Sequence, residues 1–471
     1  MRTVITQLSK RLASATADRL SARLGRVRAI AAGSDDSAVS QRTAIFAFSV
    51  RILGAVIAYA MQVLMARWMG DFQYGVYVTV WVATILLGGL ACFGFQTAVI
   101  RFIPEYQTTD DLDHLRGAIR GSLLWSFLAA SVLSAIGAGA LFLLDGVPGY
   151  YVMPIYLAAI CMPLLAFEEA LDGVARAFNW PAVALVPTFI LRPLLILLVM
   201  AVFIGAGYGA DARFAMLAAV IATFLAGIGQ FAALLWRLRK VVPRGPRAYR
   251  PGPWMAVALP IFLVDGFYNL LTNTDILFVS YYLSPDRVAI YFASVKTLAL
   301  AHFVYFAVKA GTAHRFAAYR AAGDTERYEA FIRETIHWTF WPSLALAILM
   351  VAFGHYFLLL FGESFVEGTG LLWILAIGII VRSTIGAAAS VLIMSGEQIA
   401  CALVYGACLF VNVVLNIVLI PRYGLEGAAI ATTCAVIFET GALYAAAHRR
   451  LGIHIFIVPA SPPAALDGRM S

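Results

Sequence analysis

Ten polar side chains lie deep inside otherwise apolar stretches of this chain. Four are cations (Arg51, Arg192, Lys296 and Arg382), three are carboxylates (Asp265, Asp275 and Glu439), and three are amides (Asn269, Asn273 and Asn412). A charge in hydrocarbon is costly, so each such group marks a ligand site, an ion path or a buried pair. Cations in a low-dielectric cavity attract anions strongly. Carboxylates beside them can balance charge or carry a coupling proton or Na⁺. At about 1.5 Å of rise per residue, Arg51, Arg192 and Lys296 sit roughly 12–15 Å from the nearer end of their runs. That is near the middle of a core about 30 Å thick, so they face protein or water rather than lipid. The competing reading is structural: the cations pair with Asp265, Asp275 or Glu439 and fasten helices with no ligand involved. Asn412 and Asn416 (four residues apart) serve interhelical hydrogen bonds as readily as a ligand. Glu168-Glu169 completes the inventory.

The elements that must position these groups are membrane helices. Hydrophobic residues make up 62% of 471 and charged residues 13%, with a mean hydropathy of +0.85, against about 25% charged in a soluble domain. Twelve runs approach the roughly 20 residues that a spanning helix needs: 43–65, 74–98, 117–144, 150–171, 182–204, 212–236, 254–282, 288–310, 335–357, 367–394, 400–420 and 425–447. The seventh is the most polar. On a helical wheel Asp265, Tyr268, Asn269, Thr272, Asn273 and Asp275 form one broad stripe, as expected of a wall of an aqueous cavity. Charge sets the orientation. Of the 34 Lys and Arg residues, 26 fall on the loops that share a side with the termini and 4 on the other side, which predicts cytoplasmic termini. The net charge of +8 then needs no nucleic acid, because basic loops face anionic headgroups.

Two stretches 214 positions apart resemble one another: Ala66–Tyr77 (ARWMGDFQYGVY) and Ser280–Tyr291 (SYYLSPDRVAIY). Arg101-Phe102 and Arg315-Phe316 follow at the same offset, and Tyr208-Gly209 is echoed by Tyr423-Gly424. In this register Arg51 falls opposite Asp265. Such landmarks indicate a duplicated bundle, the construction of many secondary transporters. The fold expected is an all-α polytopic membrane protein of about twelve transmembrane helices in two parallel-repeat six-helix lobes. Its parts are a basic cytoplasmic tail (1–42), an N-lobe (43–236), a basic linker (237–253), a C-lobe (254–447) and a cytoplasmic C-terminal tail (448–471).

The first tail has no apolar core of signal-peptide length. Its leucines and arginines alternate near helical periodicity, so it reads either as an interfacial amphipathic helix or as a solvated basic tail. Prolines at 243, 246, 251 and 253 argue against helix through 237–250. Residues 311–334 read as a short surface helix, and the final twenty or so as disordered. The five cysteines all fall inside spans without a pairing pattern, so free thiols are expected. The seven scattered histidines show no ligand spacing, and neither metal nor cofactor is expected.

The opening spans, RILGAVIAYAMQVLMARWMGDFQYGVYVTV running to GFQTAVIRFIPEY, resemble those of the oligosaccharide flippases, polysaccharide exporters of the superfamily that also holds the multidrug and toxin extruders. Arg67, Gly70, Tyr74 and Gly75 match that family's turn between spans one and two, and Arg101 to Tyr106 match the segment closing span two. Asn412, Asn416, Ile420-Pro421, Tyr423-Gly424 and Gly427-Ala428-Ala429 add a second match; together the resemblance covers most of 43–447. It implies two six-helix lobes around a central cavity and alternating-access transfer of polyprenyl-pyrophosphate-linked oligosaccharide across a bacterial inner membrane. The product would be O-antigen or exopolysaccharide, and the expected partners are the lipid-linked substrate, membrane lipids and polysaccharide polymerase machinery. Arg51, Arg192, Lys296 and Arg382 would hold pyrophosphate, Arg being suited to bidentate phosphate contact. Asn269, Asn273 and Asn412 would contact substrate, and Asp265, Asp275 and Glu439 would balance charge or couple an ion. The alternative is a cation-coupled multidrug exporter of the same superfamily. A membrane-embedded glycosyltransferase or ligase would generally need a sizeable polar loop, and every outward loop here is short, so no enzymatic activity is expected.

Overall fold

A computed structural model describes residues 36–143, 146–302, 308, 312 and 325–457. Among these, all regular structure is helical. The first half contains α1 (Asp36–Ala91), α2 (Phe95–Thr108), α3 (Leu112–Leu143), α4 (Gly149–Ala177), α5 (Pro181–Val186), α6 (Arg192–Gly205) and α7 (Ala212–Val241). The second contains α8 (Pro251–Leu271), α9 (Thr274–Tyr282), α10 (Pro285–Ala299), α11 (Thr325–Ala352), α12 (Gly354–Leu359), α13 (Thr369–Ser383), α14 (Ala388–Met394) and α15 (Gln398–Leu451). The basic N-terminal tail up to residue 35, the Arg315-Phe316 landmark and the last fourteen residues lie outside the described residues.

Nine helical stretches among the described residues are long and apolar enough to cross a membrane. Two of them, of 64 and 54 residues, are too long for one crossing, which takes about 20. Each bends at a glycine: Gly70 (φ 73°) in α1 and Gly424 (φ 58°) in α15. A side chain is strained at such angles, and glycine is not. Among the described residues, splitting these two gives eleven crossings, and α10 stands where the eighth span is expected, which makes about twelve in two lobes. Both bends coincide with repeat landmarks, and the counterpart of Gly70 is the turn at Ser284 between α9 and α10.

Local signals set several helix starts. Pro181, Pro251 and Pro285 each open a helix, where a missing N–H costs nothing. Asp211 caps α7, its carboxylate accepting from the backbone N–H of Arg213 and Phe214. Phe178–Trp180 separates α4 from α5, as the two-span reading of 150–204 requires.

Three expectations change. Helix α7 continues to Val241, so Arg237, Arg239 and Lys240 ride on a helix, and only the stretch from Val242 leaves it. Among residues 311–334, those from Thr325 onward belong to α11 rather than to a separate surface helix. The seventh span is broken: α8 ends at Leu271 and α9 begins at Thr274. The polar stripe is therefore interrupted at Thr272-Asn273, and Asn269 and Thr272 are exposed while Asp275 is buried.

In the first half α4 packs against α3 and α7, and in the second α15 packs against α8 and α13. The contact face of α7 is made of small residues, with Ala215, Ala218, Ala219, Ala222 and Ala226 all inaccessible. This lets backbones approach closely where lipid supplies no hydrophobic drive. The halves meet where the second part of α1 packs on α10. A Cβ at Gly75 would lie 1.7 Å from the Pro285 carbonyl oxygen, so only glycine fits there. The repeat-related Tyr77 and Tyr291 are both buried beside this seam. Further along α1, Tyr59 Oη and Thr297 Oγ1 are 3.1 Å apart. The Arg67 guanidinium donates to the carbonyls of Leu359 and Leu360 at 2.6 and 2.7 Å. A second seam joins α2 to α8, where Phe93 stacks on Phe262 and the Trp254 indole N–H donates to Tyr106 Oη at 2.8 Å.

Candidate functional site

A cavity of about 420 Å³ opens inside the second half, at the break between α8 and α9. It brings together six of the ten singled-out residues: Asn273, Asp275, Lys296, Arg382, Asn412 and Glu439. The unwound Thr272-Asn273 backbone forms part of its wall. Irregular backbone at membrane depth is tolerated where it lines a cavity.

Its charges are two cations and two carboxylates. Arg382, in the last turn of α13, pairs with Glu439 of α15 at 3.1 Å, and the carboxylate is 1% exposed. The Arg382 guanidinium also lies 5.7 Å from the Tyr268 ring centroid. Asp275 accepts hydrogen bonds from Tyr291 Oη at 2.8 Å, Thr432 Oγ1 at 3.3 Å and the Ile276 backbone N–H at 2.9 Å. Lys296 Nζ stands 5.0 Å from the Phe292 ring centroid. Asn416 donates its amide to Asn412 Oδ1 and to the Asn412 carbonyl, both at 2.9 Å. The i, i+4 asparagines therefore bond within one helix rather than between helices.

The remaining four residues lie elsewhere. Arg192 follows the π-helical turn Pro187–Leu191 and donates to Glu168 Oε2 at 2.8 Å, with the carboxylate 2% exposed. Its guanidinium is 5.9 Å from the Trp81 ring centroid. Arg51 is exposed and lies 5.6 Å from the Phe189 ring centroid, within electrostatic range of the Arg176–Asp172 pair. Asp265 accepts from Thr97 Oγ1 at 3.1 Å and so ties α8 to α2. Asn269 is exposed and outside the cavity lining. The four cations do not converge on one pocket: two line the second-half cavity, and two sit among first-half helices.

Sequence reasoning passed over Tyr291 and Thr432, which hold Asp275, and undervalued Glu168. Two signals for them were present. Tyr291 is the repeat mate of Tyr77, and Glu168, Asp172 and Arg176 recur at i, i+4 spacing on one helix face. Four of the five cysteines are buried, Cys434 is exposed, and all five are free. No metal-ligating cluster occurs among the described residues.

A charge-bearing cavity inside a helical bundle of about twelve crossings defines a polytopic membrane protein. Solved structures share that fold. An inward-facing multidrug resistance MATE family transporter of the MOP superfamily superimposes with TM-score 0.68 at 14% identity, over 89% of this chain and 98% of the other. An outward-facing conformation of such a transporter gives 0.68 at 14% identity, over 88% and 96%. A MOP superfamily transporter from Pyrococcus furiosus, described as having a binding pocket of reverse polarity, gives 0.66 at 14% identity, over 89% and 96%. The chain belongs to the polysaccharide biosynthesis protein family, whose model matches residues 40–312. The MatE model matches residues 260–418. The uncharacterized membrane protein YabM of Bacillus subtilis is 42% identical over 69 residues, which is 15% of this chain and 13% of that protein.

Proposed function

We propose that this protein is a flippase that moves polyprenyl-pyrophosphate-linked oligosaccharide repeat units across a bacterial inner membrane by alternating access, for O-antigen or exopolysaccharide synthesis. One observation carries the reading. A match to the polysaccharide family over 40–312 coincides with two intramembrane cations, Arg51 and Lys296, that lie in no carboxylate ion pair among the described residues. Those two are the anchors we assign to the pyrophosphate, because a polyvalent anion gains most from cations free of a direct ion pair; Lys296 and Arg51 keep only longer-range attraction, to Asp275 and Asp172. Arg192 and Arg382 are paired to Glu168 and Glu439; in this reading they join the site when substrate draws them from those carboxylates. Asn269, Asn273 and Asn412 offer amides to sugar hydroxyls, while Asp265, Asp275 and Glu439 balance charge or carry the coupling ion. A mostly apolar cavity of about 410 Å³ between α1, α3, α4 and α9 suits the passage of a lipid tail between the lobes. The lobes are taken as 43–236 and 254–447, with both termini cytoplasmic by the charge balance. Polymerase machinery would receive the product.

The test is a strain lacking the gene. Its inner-membrane lipids should accumulate polyprenyl-pyrophosphate oligosaccharides by mass spectrometry as surface polysaccharide falls. Complementation with Arg51→Gln or Lys296→Gln at normal protein level should lower export by about 10- to 100-fold, the loss expected for one charge-assisted contact. Full export from both variants refutes the anion site.

A drug-export reading draws on the MatE match over 260–418, which covers the α8, α10 and α13 side of the α8–α9 cavity, and on Asp275 and Glu439, acids suited to organic cations. Unchanged lipid intermediates, with drug resistance rising on overexpression, would establish it instead.

A further inference from the structure

A second cavity, of about 870 Å³, opens at the basic end of the bundle between α3 and α7. Its chemistry is graded. Arg120 of α3, Arg239 of α7, and Arg244 and Arg247 of the segment leading to α8 line one part. Deeper, the walls are Leu123 and Phe127 of α3, Phe167 of α4 and Phe231 of α7. The rings adjoin, Phe127 and Phe167 T-shaped at 6.2 Å and Phe167 and Phe231 tilted at 5.5 Å between centroids.

The arginine-bearing segment is pinned in place. Arg116 donates to the carbonyls of Pro243 at 2.8 Å and Pro246 at 3.2 Å, and to Asp113 at 2.6 Å. The Ala248 backbone N–H donates to the Asp113 carbonyl at 3.0 Å. Arg116 is therefore spent on structure. By contrast, Arg120, Arg239, Arg244 and Arg247 are exposed and form no ion pair with a carboxylate among the described residues. Four like charges line one cavity with no carboxylate ion pair of their own among the described residues. The level of the groove is marked by Trp236, 59% exposed near the end of α7, with Lys240 Nζ 3.3 Å from its ring centroid. Exposed tryptophan beside a basic residue is the signature of the headgroup layer.

We propose that this groove binds an anionic phospholipid of the leaflet it faces. The phosphate sits among Arg120, Arg239, Arg244 and Arg247, and an acyl chain lies along Phe127, Phe167 and Phe231. Basic pockets between membrane helices at the cytoplasmic side recognise phosphate-headed lipids in this way, and the apolar floor gives a lipid an advantage that a soluble anion lacks. A bound lipid bridges α3, α7 and the segment that enters the second lobe, so it would brace the junction of the lobes. The site is separate from the α8–α9 cavity and does not depend on the cargo proposed above.

The experiment uses the full chain purified into phosphatidylcholine nanodiscs doped with phosphatidylglycerol. Native mass spectrometry counts the phosphatidylglycerol retained. The wild type should retain it selectively, and the Arg120→Gln, Arg239→Gln, Arg244→Gln and Arg247→Gln changes should weaken apparent affinity about fivefold each. All four positions are exposed, so elution profile and thermal stability in pure phosphatidylcholine should stay at wild-type values. A control carrying Arg101→Gln, Arg449→Gln and Arg450→Gln removes charge elsewhere on the same end and should retain the lipid. Equal loss in that control would overturn the site in favour of diffuse attraction. Displacement by millimolar inorganic phosphate would reassign it to a soluble anion. Preferential displacement by polyprenyl phosphate would reassign it to the lipid carrier.

Discussion

The Arg382–Glu439 pair should be a principal fastening between α13 and α15, and breaking it from one side should cost more than removing it whole. The two groups are 3.1 Å apart, and their side chains are 13% and 1% exposed. At an effective dielectric near 20, Coulomb's law gives about 5 kcal/mol of attraction at that distance. Desolvation of both ions opposes much of this, so the intact pair contributes little net stability against an apolar replacement of like volume. Arg382→Met leaves a carboxylate buried without its cation, and we expect a loss of about 3–5 kcal/mol. Glu439→Gln should cost less, because Arg382 keeps the Tyr268 ring. The double variant should recover most of the first loss, with a coupling of about 3 kcal/mol between the sites. Unfolding in mixed micelles titrated with SDS reads these differences. A single-variant loss below about 1 kcal/mol with no coupling would refute the pair as a fastening and release Arg382 for substrate alone.

Tyr291→Phe removes the 2.8 Å hydrogen bond to Asp275 and should destabilise by about 1–3 kcal/mol in the same titration; an unchanged midpoint would mean water replaces the phenol. Gly75→Ala forces α1 away from α10, since the new methyl would overlap the Pro285 carbonyl. It should cost about 1–3 kcal/mol or more and abolish export, read as protein level and surface polysaccharide together. Asp111, in the turn between α2 and α3, is held below the usual carboxylate range chiefly by the hydrogen bond with the His114 ring. A depressed pKa adds stability that is present above the ordinary carboxylate value, about 3.9, and is lost as pH falls through the folded value. Asp111→Asn should therefore lower thermal stability at pH 7 and flatten its fall between pH 5 and 3. An unaltered acid limb would refute this.

Local chemistry made much of the architecture legible in the sequence. Apolar runs declare crossings, because each run must hide its own backbone in hydrocarbon whatever its neighbours do. Pro181, Pro251 and Pro285 announce helix starts, and Gly70 and Tyr423-Gly424 mark the turns of the two repeats. The burial of Asp275 and Glu439 was also implied once their runs were known to span. The break at Thr272-Asn273 was not legible, because a period-based wheel assumes a continuous helix. Nor was the separation of the cations, since a helix wheel does not say which neighbour a face meets.

The sequence by itself determined that this chain is a duplicated membrane bundle carrying charges at mid-depth, because hydrophobic length and charge cost act residue by residue. The tertiary structure decided which charges are neutralised. Arg192 meets Glu168 and Arg382 meets Glu439 in direct pairs, whereas Arg51 and Lys296 stand over aromatic rings and feel Asp172 and Asp275 only at longer range. A buried charge is stabilised only by the groups that packing brings within a few ångströms, and that proximity arises between helices distant in sequence.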